Sequence, residues 1–148
     1  MHSHQRCIVI QGSHSIIVEY NVAYNTYGHC FVLQDGIEHE NHFNYNLGAE
    51  QKVIPDANII SIAESDMFPA TFWISNPHNH LLGNVAAGSQ DSGFWYEFLD
   101  TVRGPSKKQD STNSINPSTA EHGSFKDCVT HSNAGDGFRT YPNGYSPP

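Results

Sequence analysis

Apolar residues in this chain come in short runs, such as Cys7-Ile8-Val9-Ile10, Cys30-Phe31-Val32-Leu33 and Phe72-Trp73-Ile74, separated by polar stretches rich in Asn and Gly. Runs of three or four β-branched and aromatic residues bounded by turn formers read as strands, and no 3.6-residue period links them into helices. The runs repeat. Asn21-Val22-Ala23-Tyr24-Asn25 lines up with His42-Phe43-Asn44-Tyr45-Asn46, then with Asn84-Val85-Ala86-Ala87-Gly88 and Asp127-Cys128-Val129-Thr130-His131. The copies start at 21, 42, 84 and 127, so a unit of about 21 residues is kept once or doubled. Three of them are followed by a second run that opens with Gly: Gly28 to Leu33, Gly93 to Tyr96 and Gly137 to Thr140.

A unit this short cannot enclose a core, so successive units must stack to bury one face of each strand. The pattern predicts an all-β, right-handed parallel β-helix of at least four coils, with Val22, Phe43 and Val85 stacked inward as one ladder. The 13 Asn suit such a coil, because Asn tolerates left-handed corners and stacked Asn side chains hydrogen-bond along parallel strands. Residues 48–69 and 103–121 interrupt the pattern and are read as lateral loops, the second a mobile surface loop. The tail 141–148, rich in Pro, is expected to leave the sheet. The whole chain reads as one segment of a longer β-helix. Lacking evident caps, the isolated chain is expected to associate.

Composition narrows the function. The formal net charge of −8 opposes a phosphate-neutralising surface, so nucleic-acid binding is not expected. No run approaches a membrane span, and Met1-His2-Ser3-His4-Gln5-Arg6 has no apolar signal core. Cys7, Cys30 and Cys128 have no metal-ligand spacing, and an odd number leaves at least one thiol unpaired within the chain. Asn-x-Ser/Thr acceptors are absent, since Asn116 precedes Pro117.

Several of these runs, taken in order, resemble a known group. Asn21-Val22-Ala23-Tyr24-Asn25, Gly28-His29-Cys30-Phe31, Asp35-Gly36-Ile37-Glu38, Thr71 to Pro77, Asn84 to Ser89 and Gly93-Phe94-Trp95-Tyr96 are similar to the parallel β-helix region shared by fibrocystin, fibrocystin-L and the cell-surface and cell-migration-inducing hyaluronidases. The likeness runs from about residue 8 to 145. It implies an extracellular or cell-surface location, flanking domains in a longer protein, and a glycan such as hyaluronan or a cell-surface protein as partner. Members of the group divide between glycan-degrading and receptor-like roles, so both a hyaluronidase-like segment and a non-enzymatic scaffold stay open.

The candidate chemistry follows. His29, Asp35 and Glu38 lie within ten residues and could form an acid/base group for glycosidic cleavage, if environment pushes the carboxyl pKa values apart. The alternative is a tight turn at Asp35-Gly36 with Glu38 a solvated strand residue and His29 in the core. Trp73, Trp95 and Tyr96 could stack on sugar rings, with Arg139 nearby in the pattern. Adjacent aromatics alternate across a strand, so one of each pair should face outward. Arg103, Lys107 and Lys108 are the clustered cations a polyanion would meet. Among the ten His, His78 and His80 could share a strand face whereas His39 and His42 could not. No set has metal-ligand spacing, so no metal site is assigned. The cofactor is left unknown: calcium held by Asp and Glu on the groove stays open, with no loop signature to assign it.

Overall fold

The computed structural model describes residues 5–55, 64–140 and 144–146. Its strands are short and all their pairings are parallel. The first coil contains β1 (Ile8–Ile10), β2 (Ile17–Glu19) and β3 (Val22–Tyr27). The second contains β4 (Phe31–Leu33), β5 (His42–Asn44) and β6 (Leu47–Lys52). The third contains β7 (Ala70–Ile74), β8 (His80–Leu82) and β9 (Val85–Ala87). The fourth contains β10 (Ser92–Tyr96), β11 (Phe125–Lys126) and β12 (Val129–His131), and β13 (Phe138–Arg139) opens a fifth. Each of the first four coils gives one strand to each of three sheets, ordered β1-β4-β7-β10-β13, β2-β5-β8-β11 and β3-β6-β9-β12. Stacked parallel sheets built this way are the architecture of a β-helix. The described residues include 3-10 turns but no α-helix, and no helix is long and apolar enough to cross a membrane.

The interior is layered by residue type. In the first sheet Phe31, Phe72 and Phe94 stack one per coil, with ring centroids 4.7 and 4.8 Å apart, and Phe43 meets Phe31 and Phe72 edge-on at 6.4 Å. Offset-stacked and edge-to-face rings at these separations add to the burial of their large area. The second sheet sends in Val18, Phe43 and Leu81, the third Ala23, Gly48 and Ala86. Small residues are required there. A Cβ on Gly48 would lie 2.3 Å from Thr71 Cγ2.

The expected ladder of Val22, Phe43 and Val85 does not form. Val22 pairs with Leu47, which pairs with Val85, while Phe43 lies in the neighbouring sheet between Val18 and Leu81. Val22 is 60 % exposed and Phe43 fully buried. The reason is a repeat within the repeat. Each coil turns two successive corners five residues apart, before β2 and β3 in the first coil and at Asn41 and Asn46, or Asn79 and Asn84, in the next two. Both corners carry a similar polar–apolar–polar signature, so aligning 21 with 42 matched one corner to the other. The true spacings along the third sheet are 25, 38 and 44 residues.

Stacked Asn side chains hydrogen-bond along the strands as expected, and Asn25 takes a left-handed position at φ 56°, but at the corners Asn21, Asn46 and Asn84 do not. Left-handed positions fall one residue earlier, at Tyr20, Tyr45, Gly83 and Asp127, with φ of 55°, 54°, 63° and 53°. At Gly83 a Cβ would meet the Tyr45 ring at 2.5 Å, which selects glycine in that coil. The Asn that follows turns its side chain along the stack. Asn46 Oδ1 accepts from the Asn21 backbone N–H and Nδ2, while Asn46 Nδ2 donates to Val18 O and Asn84 Oδ1. Asn41 and Asn79 form a second ladder, in which Asn79 Oδ1 accepts from the Asn41 N–H and Nδ2.

The longer spacings measure the insertions. One falls between β6 and β7, where residues 47–52 belong to the strand and the departure begins at residue 53. The other lies between β10 and β11, and it is packed rather than loose: Phe98, Leu99, Val102, Ser106 and Asp110 are buried. At the tail, Tyr145 stacks on Phe98 at 4.7 Å and donates through its hydroxyl to Ala120 O. Cys7 and Cys30 are disulfide-bonded between the first two coils, and Cys128 is free. Residues 56–63 of the first expected loop and residues 141–143 and 147–148 of the expected tail fall outside the described residues.

Candidate functional site

Asp35 and Glu38 sit on the turn that leaves β4, and both are buried. The Glu38 carboxylate accepts N–H groups from Gly12 and Gly36, each at 2.8 Å, and from Asp35 at 3.1 Å. Burial pushes its pKa above the ordinary value, against the pull of these backbone donors. Asp35 reaches the other way. Its carboxylate accepts from Ser106 N at 3.1 Å and Gln11 Nε2 at 3.2 Å, and its carbonyl takes the Arg103 N–H. The second insertion is thereby pinned to the coil. The two carboxyl groups share one turn, whereas His29 precedes β4, at the opposite end of that strand. A strand rise of ~3.3 Å per residue puts Leu33 about 13 Å from it. His29 is fully buried, accepts the Ala70 N–H on Nδ1 and stacks on Trp73 at 5.3 Å.

The aromatic pairs divide between the two faces as strand alternation requires. Phe72, Phe94 and Tyr96 point into the core, and Trp73 and Trp95 stand side by side, in register, on the outer face of the first sheet. Neither tryptophan is open to solvent, at 2 % and 3 % exposure. Arginines cover them. The Arg103 guanidinium lies 4.8 Å from the Trp73 ring and that of Arg139 4.1 Å from Trp95, within cation–π range. Both are anchored by carboxylates, Arg103 to Glu97 at 3.6 Å and Arg139 to Asp91 at 3.0 Å. Trp73 Nε1 donates to the same Glu97.

A family model described as CEMIP beta-helix matches residues 1–138. The chain belongs to that family. Among relatives of this β-helix, the cell migration-inducing and hyaluronan-binding protein of Mus musculus is 33% identical over 89% of this chain and 11% of its own length. Cell surface hyaluronidase CEMIP2 of Homo sapiens is 37% identical over 71% of this chain and 9% of its own. Fibrocystin-L of Mus musculus is 39% identical over 70% and 2%. The chain thus spans about a tenth or less of these relatives. The resemblance read from the sequence is the family the chain falls in.

Reading along the chain missed one constellation. Glu40, His42 and His80 come together from two coils, with potential ligand atoms all within 4.8 Å of one another. His78 joins them, its Nε2 2.6 Å from Glu40 Oε1. Comparing neighbours in sequence could not find this group, because its members are coil partners 38 residues apart.

Proposed function

We propose that this chain is one β-helix segment, right-handed like nearly all parallel crossovers, of an extracellular, hyaluronan-handling cell-surface protein, and that within it the segment is scaffold rather than the seat of glycosidic cleavage. The observation carrying this is the state of the two carboxylates. Glu38 is occupied by three backbone N–H groups and Asp35 by a backbone N–H and an amide, so each is committed to holding a turn. A general acid or base must reach the scissile oxygen directly or through one water. The His29–Asp35–Glu38 acid/base reading therefore rests on a rearrangement of both turns.

The test uses full-length protein. Asp35→Asn keeps an acceptor for Ser106 N, and hyaluronan cleavage per folded molecule is expected to stay within a few-fold of the parent. A loss of ~100-fold or more with folding intact would restore the catalytic reading.

A second observation favours a contact role for this scaffold. Arg103 and Arg139 line one outer strip over Trp73 and Trp95, where a uronate carboxylate could exchange with Glu97 and Asp91 as arginine partner. Replacing both arginines with Ala should weaken hyaluronan binding by the full-length protein at least about tenfold. Unchanged binding would leave the segment as scaffold alone, with its contacts made to protein.

A further inference from the structure

Glu40-Asn41-His42 and His78-Asn79-His80 are the same corner on successive coils. In each, the buried central Asn enters the ladder, while its two neighbours stay half-buried at the surface of the corner. His42 and His80 are register partners with stacked rings at 4.6 Å, and Glu40 N–H donates to His78 O. Four ligating side chains therefore form a two-by-two array across two coils. The corner is rigid underneath: Asn41 N–H and Nδ2 both donate to Asn79 Oδ1, and Glu40 is held in the left-handed region at φ 55°.

We propose that Glu40, His42 and His80 form a binding site for a divalent transition ion of the zinc class, with His78 or water completing four ligands. Two imidazoles and a carboxylate suit zinc, whereas calcium calls for an all-oxygen shell. Tetrahedral bonds of ~2.0–2.1 Å to N and O place two ligand atoms about 3.3–3.4 Å from each other. His80 Nε2 and Glu40 Oε2 already lie 3.4 Å apart. The His42 ring has the larger movement to make, since the set spans 4.8 Å. All three side chains are half-buried, which leaves an approach for the ion and limits the competing water.

An outer partner is in place as well. Ser124, on the next coil, offers both its backbone N–H and its hydroxyl at 3.1 Å from His80 Nδ1. Nδ1 finds a partner in either tautomer. With the ion on Nε2, the ring proton sits on Nδ1 and the Ser124 hydroxyl accepts it, the arrangement that fixes metal-bound histidines. His78 and His80 both turn to Glu40, whose pKa is held below the usual carboxylate value chiefly by the His80 hydrogen bond. The ion would replace those contacts and tie the second coil to the third.

Titration of the full chain with Co²⁺, read by the visible absorption of a tetrahedral site and reversed by Zn²⁺, tests this directly. One equivalent should bind, and His42→Ala and His80→Ala should each weaken binding at least tenfold, with circular dichroism unchanged. Ca²⁺ in excess should not compete. His2→Ala with His4→Ala should leave the tetrahedral signal intact, which separates the site from chelation by the histidines at the chain start. Octahedral spectra only, or equal binding by the His42 and His80 variants, would overturn the site.

Discussion

Asn46→Ala removes the central rung of the longer Asn ladder, and its cost can be worked from the contacts. The amide makes four hydrogen bonds: two accepted from Asn21 at 3.0 and 3.1 Å, and two donated, to Val18 O at 2.9 Å and Asn84 Oδ1 at 3.0 Å. Each net bond contributes about 0.5–1.5 kcal/mol, and a buried partner left unmade costs more than an exposed one. Asn21 is half-exposed and regains water, and Asn84 Oδ1 keeps the Asn46 N–H. Val18 O and one lone pair of Asn84 stay uncompensated. The expected loss is therefore roughly 2–4 kcal/mol, a large part of a typical domain stability of about 5–15 kcal/mol. In a chain of this length that shifts Tm by roughly 5–15 °C. Asn21→Ala is the internal comparison. It removes two bonds at the solvated end of the ladder and should cost less than about 1 kcal/mol. Asn46→Asp supplies the sign test: at neutral pH its second oxygen would face Val18 O and Asn84 Oδ1, acceptor against acceptor, and on protonation it becomes a donor again. Its deficit relative to the parent should shrink as pH falls. Urea unfolding of the three variants at pH 7, and of Asn46→Asp down to pH 4, measures all of this. If Asn46→Ala costs no more than Asn21→Ala, the ladder is not what holds the corner.

Cys7 and Cys30 close a loop of 23 residues, so Cys7→Ser should lower stability by about 3 kcal/mol on the chain-entropy account; a change under 1 kcal/mol in urea midpoints would show that the first coil contributes little to the cooperative unit. Burial raises the Glu38 pKa, so its favourable contribution is full below the ordinary carboxylate value and is lost as pH rises through the folded one. The stability advantage of the parent over Glu38→Gln should accordingly narrow between pH 4 and pH 7, and an advantage that widens with pH would reverse the assignment. Gly48→Ala places a methyl 2.3 Å from Thr71 Cγ2 and should destabilise by about 1–3 kcal/mol, whereas Gly48→Ala combined with Thr71→Ser should recover much of the loss.

What could be read along the chain was whatever a single strand determines. Alternation required one of each adjacent aromatic pair to face away from the core, which the structure resolves as Phe72 and Phe94 inward and Trp73 and Trp95 outward, and short Gly-bounded runs gave parallel coils. Register was harder, because it depends on which coil lies above which. Asn41 and Asn46 carry similar signals five residues apart, and two insertions stretch the coil spacing from 25 to 38 and 44 residues, so periodicity alone could not choose between the corners. That choice decides the chemistry. With the offset used in reading the sequence, His42 aligns with the Asn84 corner; in the true register it stands beside His80, and Glu40 beside His78. The carboxylates show the same dependence in reverse. Glu38 looks solvated when only its strand is considered, but Gly12 from the coil before it and its own turn bury it under backbone donors. In a stacked coil, a polar residue is defined by the residue one coil away, and only the register reveals which polar groups hold the turns and which remain free to bind.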